Sequence, residues 1–104
     1  MSGSVAIAAS PDGGYMFTNI TSNTTTTPKK GAGYFKRLMI NTLIASATIT
    51  IYDNTAASGT KIATITLPSV ITGDAPTFLD FDVGFATGLT IVTSGSTDIT
   101  AVWM

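Results

Sequence analysis

The acids of this chain are six aspartates; it contains no glutamate, histidine or cysteine. Imidazole, thiolate and glutamate with a raised pKa are the groups that most often transfer protons, attack carbonyls or ligate metals near neutral pH. Chemistry would have to come from aspartate alone. Asp80 and Asp82 flank Phe81, and in a strand that spacing puts both carboxylates on one face about 6.5–7 Å apart. Such a pair could be the acid and base of a glycosidase or half of a calcium site. No further oxygen ligand clusters with them in the sequence, so they read as the solvated face of a strand whose opposite face is Phe81. The expectation is a non-enzymatic chain with no catalytic residue, no metal and no cofactor.

Other residues could bind rather than react. Asp53-Asn54 opens a loop that closes at Ser58-Gly59. Asp and Asn in such a loop hydrogen-bond their own backbone and tolerate left-handed geometry; a carbohydrate or ion contact at the loop tip is the alternative. Lys29, Lys30, Lys36 and Arg37 supply four of the five bases within a short stretch. They are expected to form a protein-docking patch or a solvated turn. Lys29-Lys-Gly-Ala-Gly33 lacks the spacing of a phosphate-cradling loop and has no helix after it, so nucleic acid is not an expected partner. Trp103, the one tryptophan, plugs the core if its strand is central and anchors an interface if its strand is an edge. The interface is preferred, because an indole so near the end of a strand has few neighbours. Lys29, Lys30, Lys36, Arg37 and Trp103 are thus the candidate interface residues.

The elements that must hold these residues are strands. About one residue in five is Thr, and Thr, Ile and Val favour the pleated surface. Gly14 to Thr21 opens with aromatic and β-branched residues after the turn former Pro11-Asp-Gly-Gly14. Ser22 to Pro28 is either a strand with a Pro-blunted edge or an extended loop. In Tyr34 to Thr42 neither alternating face is cleanly apolar, which places a bulge near Lys36-Arg37. The clearest unit is a hairpin: Ala47 to Tyr52, a Gly-containing loop, then Thr60 to Leu67, with Ile49 and Ile51 alternating against Thr48, Thr50 and Tyr52. Thr77 to Val83 buries one face through Phe81 and Val83, or the other through Phe78. Leu89 to Thr93 and Asp98 to Trp103, joined by Ser94-Gly-Ser-Thr97, read as a second hairpin. Short strands at even spacing predict an all-β fold: an antiparallel β-sandwich, jelly-roll-like, of about seven or eight short strands.

The length of 104 residues leaves room for one domain. We expect an N-terminal arm over residues 1–12 and a single β-sandwich domain over 13–104. A composition 44% hydrophobic and 11% charged, with a net charge of −1, leaves a small protein with surface that partners or further copies would cover. Without cysteine there is no disulfide framework. The apolar stretch Val5 to Ala9 is too short for a signal-peptide core and no run reaches membrane-spanning length. A soluble product of the cytoplasm, with no membrane partner, is expected.

One pattern carries a resemblance. Gly14-Tyr-Met-Phe-Thr-Asn-Ile-Thr21 and its Thr-rich run, Gly31-Ala-Gly33, Leu38-Met-Ile-Asn41, Ile49-Thr-Ile-Tyr-Asp53, Ser58-Gly59 and Lys61-Ile-Ala-Thr-Ile65 form its first part. Phe81-Asp-Val83, Phe85-Ala-Thr-Gly-Leu-Thr90 and Asp98-Ile-Thr100 complete it. From Gly14 on, the chain resembles small β-sandwich structural proteins of tailed bacteriophages, head decoration (cement) proteins among them. The resemblance implies a virion component made in the host cytoplasm. The favoured role is a homotrimeric capsid decoration protein that stabilises the head by binding the major capsid protein between capsomers. The alternative is a neck or tail adaptor or a fibre component, with carbohydrate or a receptor as its ligand. Its motifs are turns and strand alternation, so no catalytic residue transfers.

Overall fold

The alternation of Thr with Ile, Val and Leu folds into eight strands, with no helix among the described residues. The computed structural model describes residues 14–69 and 77–104. The expected arm, residues 1–12, lies outside that range, as does the loop before β6 from residue 70 on. In chain order the strands are β1 (Met16–Ile20), β2 (Thr25–Lys30), β3 (Gly33–Thr42), β4 (Thr48–Asp53), β5 (Lys61–Thr66), β6 (Thr77–Phe85), β7 (Gly88–Thr93) and β8 (Asp98–Trp103).

They form two four-stranded sheets of order β1-β8-β3-β6 and β2-β7-β4-β5, with every pairing antiparallel. The nested pairs β1·β8, β2·β7, β3·β6 and β4·β5 are those of a double-sheet jelly roll. The expected β-sandwich, its antiparallel pairing and its strand number are all present.

Between the sheets lie Phe35, Leu38, Ile40, Ile49, Ile51, Leu89, Ile91 and Ile99, all essentially inaccessible to solvent. Each such side chain contributes about 1.5–3 kcal/mol of burial free energy, and Phe81 adds a stacked contact 4.8 Å from Phe35. The β4–β5 hairpin is built as its alternation requires. Ile49 faces Ile65 and Thr50 faces Thr64 across the pair, with Ile49 and Ile51 turned into the core.

Three local readings are settled by the pairing. The polar stretch before Lys30 is a strand, β2, at the edge of the second sheet, with its register broken between Thr26 and Lys29 around Pro28. The bulge near Lys36 is present: both neighbours of β3 lose register between Phe35 and Arg37. The second hairpin is not formed. β7 pairs with β2 and β4 while β8 pairs with β1 and β3, so Ser94 to Thr97 carries the chain from one sheet to the other. The cause is long-range. Ser94 donates its backbone N–H to the Thr48 carbonyl at 3.0 Å and accepts the Thr48 N–H on its hydroxyl at 2.7 Å. Both strands are central in their sheets, and β7 is buried at nearly every position, so each has its two neighbours within its own sheet.

Candidate interaction surface

The two outer faces of the sandwich differ in chemistry. On the second sheet one row across the strands reads Thr25, Val92, Thr50, Thr64, and Thr48 faces Thr66 beside it. This face is covered with hydroxyls, which present hydrogen-bonding groups to solvent.

On the first sheet the row Phe17–Val102–Arg37–Asp80 lies beside the row Asn19–Thr100–Met39–Phe78. Phe17 and Phe78 are each 57% exposed. The Arg37 guanidinium stands 4.7 Å above the Phe78 ring while bonding to the Asp80 carboxylate. At one end of the face Asn19 donates to the Asp98 carboxylate at 2.8 Å and Asn41 donates to it at 3.2 Å. Both amides also reach the Thr100 hydroxyl. At the other end the bulge turns Lys36 toward Asp82, 2.7 Å away, and Tyr34 donates its hydroxyl to the same carboxylate at 3.1 Å. Tyr15 tilts against Tyr34 with ring centroids 6.2 Å apart.

These pairs move the protonation equilibria. The hydrogen bond from Lys36, then that from Tyr34, holds Asp82 below the usual carboxylate value. The same bond to Asp82 raises Lys36, and the bond to Asp80 raises Arg37. Desolvation, then the hydrogen bond to Asp82, raises Tyr34. Asp82 adopts a left-handed backbone (φ 51°), which aims its carboxylate at both Tyr34 and Lys36. Asp80 and Asp82 are therefore each occupied by a cation. Among the described residues no three metal-ligating side chains come together.

The expected basic patch is divided by the fold. Lys29 and Lys30 sit on β2 in the second sheet, whereas Lys36 and Arg37 sit on β3 in the first. Two of the four are neutralised by aspartates some 43 to 46 positions away. Trp103 lies on a central strand and is partly buried. It packs against the buried cluster and donates its N–H to the Thr18 hydroxyl at 2.9 Å.

Asp53 has a role that its own loop does not reveal. Its carboxylate accepts backbone N–H groups of Ala86 and Thr87 at 2.8–3.1 Å, with Gly88 at 3.4 Å. The bonds from Ala86 and Thr87 set its pKa below the usual value. Asn54 behaves as the loop reading expects, its amide donating to the Ser58 carbonyl at 2.7 Å. The exposed apolar residues of the first sheet were missed in the sequence because Phe17 and Phe78 look like ordinary strand residues. The only available signal was the competition between Phe78 and Phe81 for the buried face of β6.

The sequence matches no protein-family model and no curated protein.

Proposed function

We propose that this protein is a non-enzymatic structural component of a tailed-bacteriophage virion, a decoration protein that binds between capsomers and stabilises the head. The observation that carries the reading is the asymmetry of the sandwich. One outer face is clad in threonine and the other presents Phe17, Phe78, Met39 and Val102 among paired charges. Exposed apolar side chains such as Phe17 and Phe78 on a small domain favour attachment over solvation. Jelly rolls recur in viral capsid and lectin domains, which is fold-level analogy and lends weight rather than identity. Cementing requires area, rigidity and many modest contacts, and repetition on a lattice turns those into tight binding. A homotrimer would match the three-fold positions such proteins occupy. The partner would be the major capsid protein or another virion protein, and the site of action the virion.

A fibre or tail component that binds carbohydrate is the second reading, favoured by the Tyr15–Tyr34 pair beside Asp82. The Asp53-Asn54 loop, the carbohydrate alternative in the sequence, does not join that pair, because Asp53 lies on the second sheet and its carboxylate is already bonded.

Recombinant full-length protein mixed with heads lacking it tests the decoration reading. It should co-sediment, saturate at a fixed number of copies per capsomer and raise the temperature at which the heads rupture. Protein that remains in the supernatant at saturating concentration would reject it.

A further inference from the structure

The ion pairs on the outer face of the first sheet cancel, and one charge is left over. Asp80 is bonded to Arg37, Asp82 to Lys36, and Asp53 to the backbone N–H groups of Ala86 and Thr87. Asp98 has no cation beside it among the described residues; its donors are the neutral amides of Asn19 and Asn41. The remaining bases, Lys29, Lys30 and Lys61, all belong to strands of the second sheet. Among the described residues the first-sheet face therefore keeps one net negative charge, and it sits at the Asn19–Asn41 end.

Hydrogen bonding fixes what this end can accept. Carboxylates and backbone carbonyls only accept. The Asn19 nitrogen reaches the Asp98 carboxylate at 2.8 Å and the Ile99 carbonyl at 2.9 Å, so it cannot be exchanged with its amide oxygen. The Asn41 nitrogen is fixed in the same way by Asp98 at 3.2 Å. Both nitrogens also donate to the Thr100 hydroxyl. The amide N–H groups are thus spent inside the cluster. It is left with acceptors: the side-chain oxygens of Asn19 and Asn41, both exposed residues, and the Asp98 oxygen that neither amide engages.

A negative cluster of acceptors calls for a cation rich in donors. A phosphate would meet a like charge and no free donor amide. Calcium takes about six to eight oxygens, carboxylates prominent among them, and here there is one carboxylate. A guanidinium is always charged and presents a planar fork of N–H donors with no acceptor. The neighbouring residue favours the same group. Phe17 lies two positions from Asn19 on the same face of β1, about 6.5–7 Å along the strand, and it is exposed. Such rings stack on guanidinium planes, as Phe78 already does with Arg37. We infer that the Asp98–Asn19–Asn41 cluster is the docking point for an arginine of the protein on which this face sits. The inference rests on the reading of this face as the attachment surface and adds the chemistry of the partner residue.

Binding of the full-length chain to heads that lack it provides the test. Asp98→Asn keeps an oxygen for both amides and removes the charge; circular dichroism and a urea midpoint check its fold. It should bind heads at least about tenfold more weakly than wild type. Its binding should also respond less to added salt, a difference that lost packing alone does not produce. Heads whose arginines are blocked with phenylglyoxal should no longer take up wild-type protein, whereas heads with acetylated lysines should, with intact particles verified by electron microscopy in both cases. If wild type binds and Asp98→Asn binds as tightly, the inference is overturned and the decoration reading stands. Binding lost on lysine acetylation but not on arginine blocking, or lost on adding EDTA, would also overturn it, giving the cluster to a lysine or a metal ion. Heads that take up no wild-type protein would reject the decoration reading and the inference together.

Discussion

The Asp53 carboxylate accepts the backbone N–H of Thr87 at 2.8 Å, across 34 positions of sequence. With Ala86 bound as well, the end of β4 clamps the turn between β6 and β7, where the chain passes from the first sheet to the second. The clamp needs the ionised acid. A carboxylate whose pKa is lower in the folded state stabilises above its unfolded value, and that contribution disappears as the pH falls through the folded value. Asp53 and Asp82 are both lowered, so the protein should lose stability as the pH falls below about 4. Asp53→Asn should be less stable at neutral pH and show a shallower acid limb. Urea midpoints collected from neutral to acid pH check this, and parallel limbs for the two proteins would exclude the clamp.

Gly88 sits under the same clamp. A Cβ there would lie 2.9 Å from the Asn54 carbonyl oxygen and 2.9 Å from the Thr55 methyl. The first of these is backbone and cannot swing away. Gly88→Ala should therefore cost about 1–3 kcal/mol, as overpacking commonly does. Gly84→Ala meets only the Gly33 oxygen at 3.6 Å and should be tolerated. Chemical denaturation of the two variants gives the comparison.

Core and face should separate cleanly. Ile51 is wholly buried, and Ile51→Ala should lower stability by about 2–5 kcal/mol. Phe78 is 57% exposed, so Phe78→Ala should change the stability of the isolated chain by about 0.5 kcal/mol or less. A large loss at Phe78 in dilute protein would mean that its ring belongs to the fold rather than to an interface.

Thr97 is fully buried, and its hydroxyl finds no partner among the described residues. An unsatisfied buried hydroxyl costs about 1–3 kcal/mol. Thr97→Val keeps the shape and removes the polar atom, so it should stabilise the protein by about 1 kcal/mol or more. Thermal denaturation reads the change directly, and a destabilised variant would show that the hydroxyl is satisfied in solution.

What the sequence revealed followed from local periodicity. Ile49, Ile51 and Ile65 alternate with Thr48, Thr50 and Thr64, and period two alone assigns the hairpin and its buried face. The mixed faces of Tyr34 to Thr42 likewise marked the bulge at Lys36. Long-range partners were not legible. Ser94 to Thr97 has the composition of a hairpin turn, and only the bonds from Ser94 to Thr48, which keep the end of β7 beside β4 in the second sheet, distinguish it from one. Four bases close in sequence look like one patch until the Gly31 turn, with its positive φ of 106°, sends β2 and β3 into different sheets. The binding of Asp53 to a turn 34 positions away leaves no trace in its own loop.

Cryo-electron microscopy of phage particles carrying this protein tests the central claim most directly. The account expects jelly-roll density on the outer capsid at three-fold or quasi-three-fold positions between capsomers, absent from particles that lack the protein. Density confined to the neck, tail or fibres, or no density on the particle at all, would contradict the decoration role while leaving the sandwich and its two unlike faces in place.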